Sequence, residues 1–192
     1  HNSRMIADPL TLYHCCPTGD GAAAVVLCTE EIAKRYTTEP FIRLAGGALT
    51  SQRFIRGELA DTRDVSVRAA KQAYEIAGIG PEDVDMVELH DNFTVGELEH
   101  IVDLGLCEED EVGSLMEEGV FNITGRIPVS MSGGLLAKGH PTSATGVSHI
   151  CELVWQMRGQ AGQRQVKDPK IGLSHCSGGD EGMACVVNVV KK

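Results

Sequence analysis

Aromatic side chains are scarce in this sequence: one Trp, three Tyr and four Phe among 192 residues, or 4%. A surface built on aromatic stacking is therefore not expected. Plentiful glycine (22 residues) and alanine point instead to closely packed helices and sheet. Basic clusters are also lacking. Lys and Arg number 17 against 27 Asp and Glu, the net charge is −10, and the basic residues form no run. A nucleic-acid groove gains affinity by releasing counterions from phosphates, which takes a concentrated basic face, so that class is set aside. A small anionic ligand stays open, because a helix N-terminus or a few basic residues can hold one.

The chain has no apolar run of the ~20 residues that a spanning helix needs, and no signal-peptide pattern. Its opening, "HNSRMIADPL", reads like the middle of a longer chain. It has no C-x-x-C and an odd number of cysteines, at 15, 16, 28, 107, 151, 176 and 185. Neither a disulfide framework nor a zinc ribbon fits that count. Reduced thiols in a cytoplasmic setting are expected, with Cys15, Cys16, Cys28, Cys107, Cys151 and Cys185 buried and inert. Repeats and low-complexity segments are absent. Forty-two per cent apolar and 23% charged residues describe one globular domain with a sizeable core.

Residues 1–19 carry Pro9, Pro17 and Gly19 and read as an irregular leader. "GAAAVVLCT" (21–29) predicts a doubly covered strand, "EEIAKRY" a short helix, and "PFIRLAGGAL" (40–49) a second strand, followed by a polar loop through Gly57. "TRDVSVRAAKQAYEIAG" (62–78) is amphipathic, with Val65, Ala69, Ala73 and Ala77 four apart and Gly78 as its stop. "DVDMVELHD" (83–91) predicts a third strand. Thr94 and Glu97 have capping-box spacing before a stripe of Leu98, Ile101 and Val102. A long helix is expected over 141–159, with Ala144, Val147, Cys151 and Val154 on its apolar face. Two last strands are expected at 170–179 and 182–190. The class is α/β, with roughly five strands and helices on both faces.

Three clusters carry chemistry. In "KGHP", Pro141 at the first helical position would place His140 at the N-cap, where the helix dipole disfavours imidazolium. A neutral imidazole there can accept a thiol proton or donate to an oxyanion. The same histidine also reads as a simple cap at an exposed turn. His90-Asp91 ends a predicted strand, where open α/β sheets collect ligands; a turn hydrogen bond is the alternative. "HCSGGDEG" (175–182) places Cys176 at another strand end, with glycines that leave a thiol accessible. His90, His140 and Cys176 lack the short paired spacing of metal ligands, so no metal is expected.

Taken in order, "HD-x-F", "SGG…KGHP-x-x-ATG" and "C-x-G-G-x-x-G" before a final apolar strand resemble the C-terminal half of the thiolase superfamily. "HDNFTVGEL" and "CELVWQMRGQAGQRQV" are similar to the branch of sterol carrier protein X and the bacterial lipid-transfer thiolases. The resemblance implies an α/β/α half-fold with a mixed sheet over residues 20–192, and a partnering N-terminal half. It further implies acyl-CoA thioesters as substrate with no tightly bound cofactor, by Claisen condensation or thiolysis. By position, His140 matches the histidine that activates the nucleophilic thiol, Cys176 the acid/base cysteine, and Gly178 a backbone oxyanion donor. His90 matches a water-holding residue, and Ser143 and Phe93 are substrate-contact candidates. The branch also implies a homo-oligomer, dimer or tetramer, an OB-fold accessory protein, and a cytoplasmic location, or a peroxisomal one in a eukaryote. Asn92 stands where the branch has cysteine, Gly96 where it has asparagine and Ser143 where it has glycine, while Asp180 adds a carboxylate. Retro-aldol cleavage of steroid side-chain thioesters and non-catalytic lipid or acyl-CoA binding are the alternatives.

Overall fold

A computed structural model of the chain describes residues 3–55, 58–59, 63–179 and 183–192. Two short paired strands, β1 (Met5–Ala7) and β2 (Leu10–Thr11), come first. Helix α1 (Glu30–Ala33), strand β3 (Arg43–Ser51) and the ribbon β4 (Phe54–Ile55) with β5 (Glu58–Leu59) follow. Then come α2 (Asp64–Ala77), β6 (Met86–Glu88), α3 (Thr94–Asp103), α4 (Val112–Glu117) and α5 (Gly134–Lys138). The chain closes with α6 (Thr145–Arg158), β7 (Ile171–Gly178) and β8 (Ala184–Lys191).

The architecture is α/β around a mixed sheet of order β3-β8-β7-β6, in which only β6 and β7 run parallel. Four strands form it among the described residues, against roughly five expected. The difference is "GAAAVVLCT", which pairs with no strand and leaves Val26 92% exposed and Leu27 72%. An apolar run specifies that a segment be covered, not which element pairs with it.

Strand alternation sorts the sheet's two faces. Leu173, Val187 and Val189 pack with Val65, Ala69 and Ala73 of α2. A Cβ on Gly46 of β3 would lie 2.5 Å from the Ala73 carbonyl, so glycine permits this close approach. Gly172, on the other face, does the same for Leu153 and Met157 of α6.

Three local expectations change. Helix α3 starts at Thr94 with Phe93 at its N-cap and no side-chain cap, so the Thr94–Glu97 capping box does not form; of its stripe only Ile101 is fully buried. Helix α6 begins at Thr145 with Ala144 at the cap. Pro141 and Ser143 occupy a turn ahead of it, and His140 is not the N-cap. The buried face of α6 is Thr145, His149, Glu152, Leu153, Gln156 and Met157, not the Ala144–Val154 stripe. All seven cysteines are free thiols, but only Cys185 is buried and Cys28 is exposed. Gly57, Thr62, Asp180 and Gly182 lie outside the described residues. Among those described, no helix is long and apolar enough to cross a membrane.

Candidate active site

The parallel pair β6–β7 brings two strand exits to one end of the sheet. His90 follows β6 and Cys176 lies near the end of β7. Their side chains meet with Cys176 Sγ 3.6 Å from His90 Nδ1. His140 arrives from the α5–α6 connection and sets its ring edge-on to His90, with centroids 4.9 Å apart. All three line a cavity of about 660 Å³, walled by Val147, Ile150 and Val186 and by Val25 of the unpaired segment. The sequence expectation that these groups share a cleft holds. Their pairing is new: Cys176 partners His90. A smaller hollow of about 160 Å³ lies at the other end of β6, beside Asp85.

Burial sets the charge states. His90 is 6% exposed, and desolvation, with His140 and His100 nearby, pulls its pKa down to about 4. Burial pushes the Cys176 thiol up. Both are neutral at pH 7, and the direction of their contact follows the His90 tautomer: the thiol donates to a bare Nδ1, or an Nδ1–H donates to the sulfur. For His140, Nδ1 lies 2.9 Å from Thr145 Oγ1. That hydroxyl also lies 3.3 Å from the Pro141 carbonyl, and when it donates there it accepts from a His140 Nδ1–H. In the neutral imidazole that arrangement makes Nε2 the acceptor. Thr145 replaces the helix dipole as the group that orients this imidazole.

Local backbone explains the motif. Ser143 lines the cleft at φ 73°, a left-handed conformation that costs any residue with a Cβ. A Cβ on Gly146 would sit 3.4 Å from Cys176 Sγ, so the first turn of α6 lies against the thiol. Gly178 borders the cavity with open space where its Cβ would be. Phe93 does not line the cavity; it is 41% exposed and bridges to Cys15, and its neighbour Asn92 faces the cleft instead. Sequence reasoning missed Thr145, Gly146 and Asn92 as site residues, although the first two sit inside the quoted "ATG". Among the described residues, no group of three His, Cys, Asp or Glu could hold a metal ion.

Residues 47–190 match the family described as thiolase C-terminal domain-like. An acetyl-CoA acetyltransferase of Methanothermobacter thermautotrophicus is 44% identical over 96% of this chain and 49% of its own. Sterol carrier protein 2 of Oryctolagus cuniculus is 41% identical over 99% of this chain and 36% of its own. Benzoylsuccinyl-CoA thiolase subunit BbsB of Thauera aromatica is 42% identical, with shares of 93% and 47%. The chain thus spans about half or less of the length of these curated relatives. Among solved structures, an Ltp2-ChsH2(DUF35) aldolase superposes with TM-score 0.79 at 26% identity, over 99% of this chain and 49% of that one.

Proposed function

Because the chain belongs to the thiolase C-terminal domain family, we propose that its cleft is the C-terminal half of an active site for acyl-CoA thioesters, performing acetyl-CoA acetyltransferase-type Claisen condensation or thiolysis. One observation carries this reading: His90, His140 and Cys176 meet in one cavity.

His140 Nε2, as the acceptor of the neutral ring, takes the proton of a nucleophilic thiol. Once protonated, it donates to the oxyanion that develops on the thioester. Cys176 holds a neutral thiol oriented by His90 Nδ1, and gives its proton to the substrate α-carbon or to the departing CoA thiolate. In this reading His90 holds a water, and the Gly178 backbone N–H is the second oxyanion donor. Each such donor is worth about 3–4 kcal/mol. The thiol that carries the acyl group comes, in this reading, from an N-terminal half. The exposed Val26 and Leu27 and the free edge of β3 suit contact with that half. A homo-oligomer and an OB-fold accessory chain belong to the same proposal.

A second reading, retro-aldol cleavage of a β-hydroxyacyl thioester, has its own support in the superposition on an aldolase. The test offers the full-length protein acetoacetyl-CoA with free CoA, then a β-hydroxyacyl-CoA. Acetyl-CoA from the first supports the acyltransferase. An aldehyde or ketone from the second alone moves the assignment to the lyase. Binding without turnover of either leaves a lipid- or acyl-CoA-binding subunit.

A further inference from the structure

Asp91 takes no part in the chemistry above, yet it is 2% exposed and its carboxylate lies between the two histidine-bearing loops. Asp91 Oδ1 accepts from the Leu135 backbone N–H at 2.8 Å. The Leu135 carbonyl in turn accepts from the Gly139 N–H at 3.0 Å. Asp91 follows His90 directly and Gly139 precedes His140 directly. Two hydrogen bonds and one residue, Leu135, therefore span the distance between the two catalytic imidazoles.

The backbone around this link has no slack. Gly133 and Gly134 both hold positive φ, at 96° and 61°, and a Cβ on Gly134 would collide with Asp91 Oδ2. The paired glycines of "SGG" thus let the turn close on the carboxylate. Three residues before Asp91, Glu88 ties the other end of the same turn, accepting from Ser132 N at 2.8 Å and Ser132 Oγ at 2.6 Å. In a second link through the N-terminal segment, Cys16 N donates to the Asn92 carbonyl and His140 N to the Pro17 carbonyl, each at 2.9 Å. That strap holds the main chain of His140, so losing the Asp91 link loosens the site without releasing the loop.

We infer that Asp91 is a positioning residue, which sets the His140 ring against His90 by gripping Leu135 at the head of α5. The kinetic arm of its test rests on the thioester reading above, and the geometric arm does not. A carboxylate that merely caps a five-residue helix would leave the rings in place. A positioning residue moves them, and an ångström of misplacement costs about 10²-fold in rate.

The experiment compares Asp91→Ala, Asp91→Asn and Gly134→Ala in the full-length protein with ¹³C-labelled histidine. Its readouts are the His90–His140 ring NOE, hydrogen exchange at the Leu135 amide, and kcat and KM on acetoacetyl-CoA with CoA. Asp91→Ala is expected to lose the NOE, speed exchange at Leu135, and lower kcat about 10²-fold with a smaller change in KM. Asp91→Asn keeps an acceptor for Leu135 and recovers the NOE and most of kcat. Gly134→Ala pushes the carboxylate off Leu135 and reproduces Asp91→Ala; it decides the question if Asp91→Ala does not fold. An intact NOE with slow Leu135 exchange in folded Asp91→Ala or Gly134→Ala overturns the inference. So does equal loss of kcat in Asp91→Ala and Asp91→Asn with the NOE kept in both, because charge rather than grip is then at work. If the unmodified protein turns over no thioester, the proposed function fails, and the NOE and exchange arms still decide the role of Asp91.

Discussion

Helices α2 and α6 are each 14 residues long, and each stops at a glycine in the left-handed conformation, Gly78 at φ 64° and Gly159 at φ 73°. They cover opposite faces of one sheet by different means. The α2 side is mostly small and apolar: Val65, Ala69, Ala70 and Ala73 lie against Leu173, Val187 and Val189. Its buried Ser66 is satisfied by His175 Nε2 at 3.0 Å. The α6 side buries His149, Glu152 and Gln156. Glu152 is held by Arg164 at 2.9 Å and by Gln156 Nε2 at 3.0 Å, while neither ring nitrogen of His149 makes a hydrogen bond of good geometry among the described residues. Cys176, His90 and His140 all lie toward that polar side. Both faces bury polar groups: on the α6 side they run as a stripe along the helix, and on the α2 side they are Ser66 and His175, whose Nδ1 also lacks a partner among the described residues.

The largest expected effect breaks the apolar side. Leu173→Ala deletes a fully buried side chain between α2 and the sheet and should cost about 2–5 kcal/mol of unfolding free energy. Urea denaturation checks this, and a cost below about 1 kcal/mol would show that this face is not the packed one. On the polar side, Glu152→Ala strips an acceptor from Gln156 and Arg164. We expect about 1–3 kcal/mol, with Arg164, itself 45% exposed, recovering part by hydration. Glu152→Gln should lose less.

The same contrast predicts a pH dependence. Burial lowers His90 to about 4, His149 to about 3 and His175 well below its ordinary value. The unfolded chain therefore binds more protons at these sites below pH ~6.5, and stability falls as pH drops through the interval to the folded values. Burial raises Glu88 and Glu97 to about 7 from an ordinary 4.5. Here the folded state binds more protons between those values, so stability rises as pH falls from 7 to 4.5. The two trends oppose each other down to about pH 4.5, and only the histidine loss continues below it. Urea midpoints should change little from pH 6.5 to 5 and drop steeply below about 4.5. Glu88→Gln removes part of the offset, so its decline should begin nearer 6.5. Coinciding profiles for the two proteins would contradict this assignment.

The smallest effect has the opposite sign. Ser143→Gly relieves a left-handed residue worth about 1–2 kcal/mol, against about 0.5–1 kcal/mol of added chain entropy. A net gain of about 0–1.5 kcal/mol is expected in thermal unfolding, and a loss would mean the Ser143 hydroxyl has a stabilising partner.

These comparisons also show where sequence is informative. Helix α2 was legible because its apolar positions, its glycine stop and its buried face agree. The convergence of His90, His140 and Cys176 was legible because strand ends gather at one edge of a sheet. The buried face of α6 was not. Its apolar stripe from Ala144 to Val154 is only half-buried and lies toward Ala24 and Val25, while the polar stripe is fully enclosed. Hydrophobic periodicity marks a face to be covered, and cannot tell a core from a cleft wall. The helix entrance was misplaced for a similar reason. Pro141 suits a first helical position, but the left-handed Ser143 delays the helix to Thr145. That four-residue shift gives His140 a threonine partner.

The central claim, that this cleft is half of a thioester active site, is tested most directly by turnover of acetoacetyl-CoA with CoA in the full-length protein carrying His140→Ala or Cys176→Ala. The account predicts that each lowers kcat by about 10²–10⁴-fold while thermal unfolding changes little. Near-normal turnover in either folded variant would contradict it.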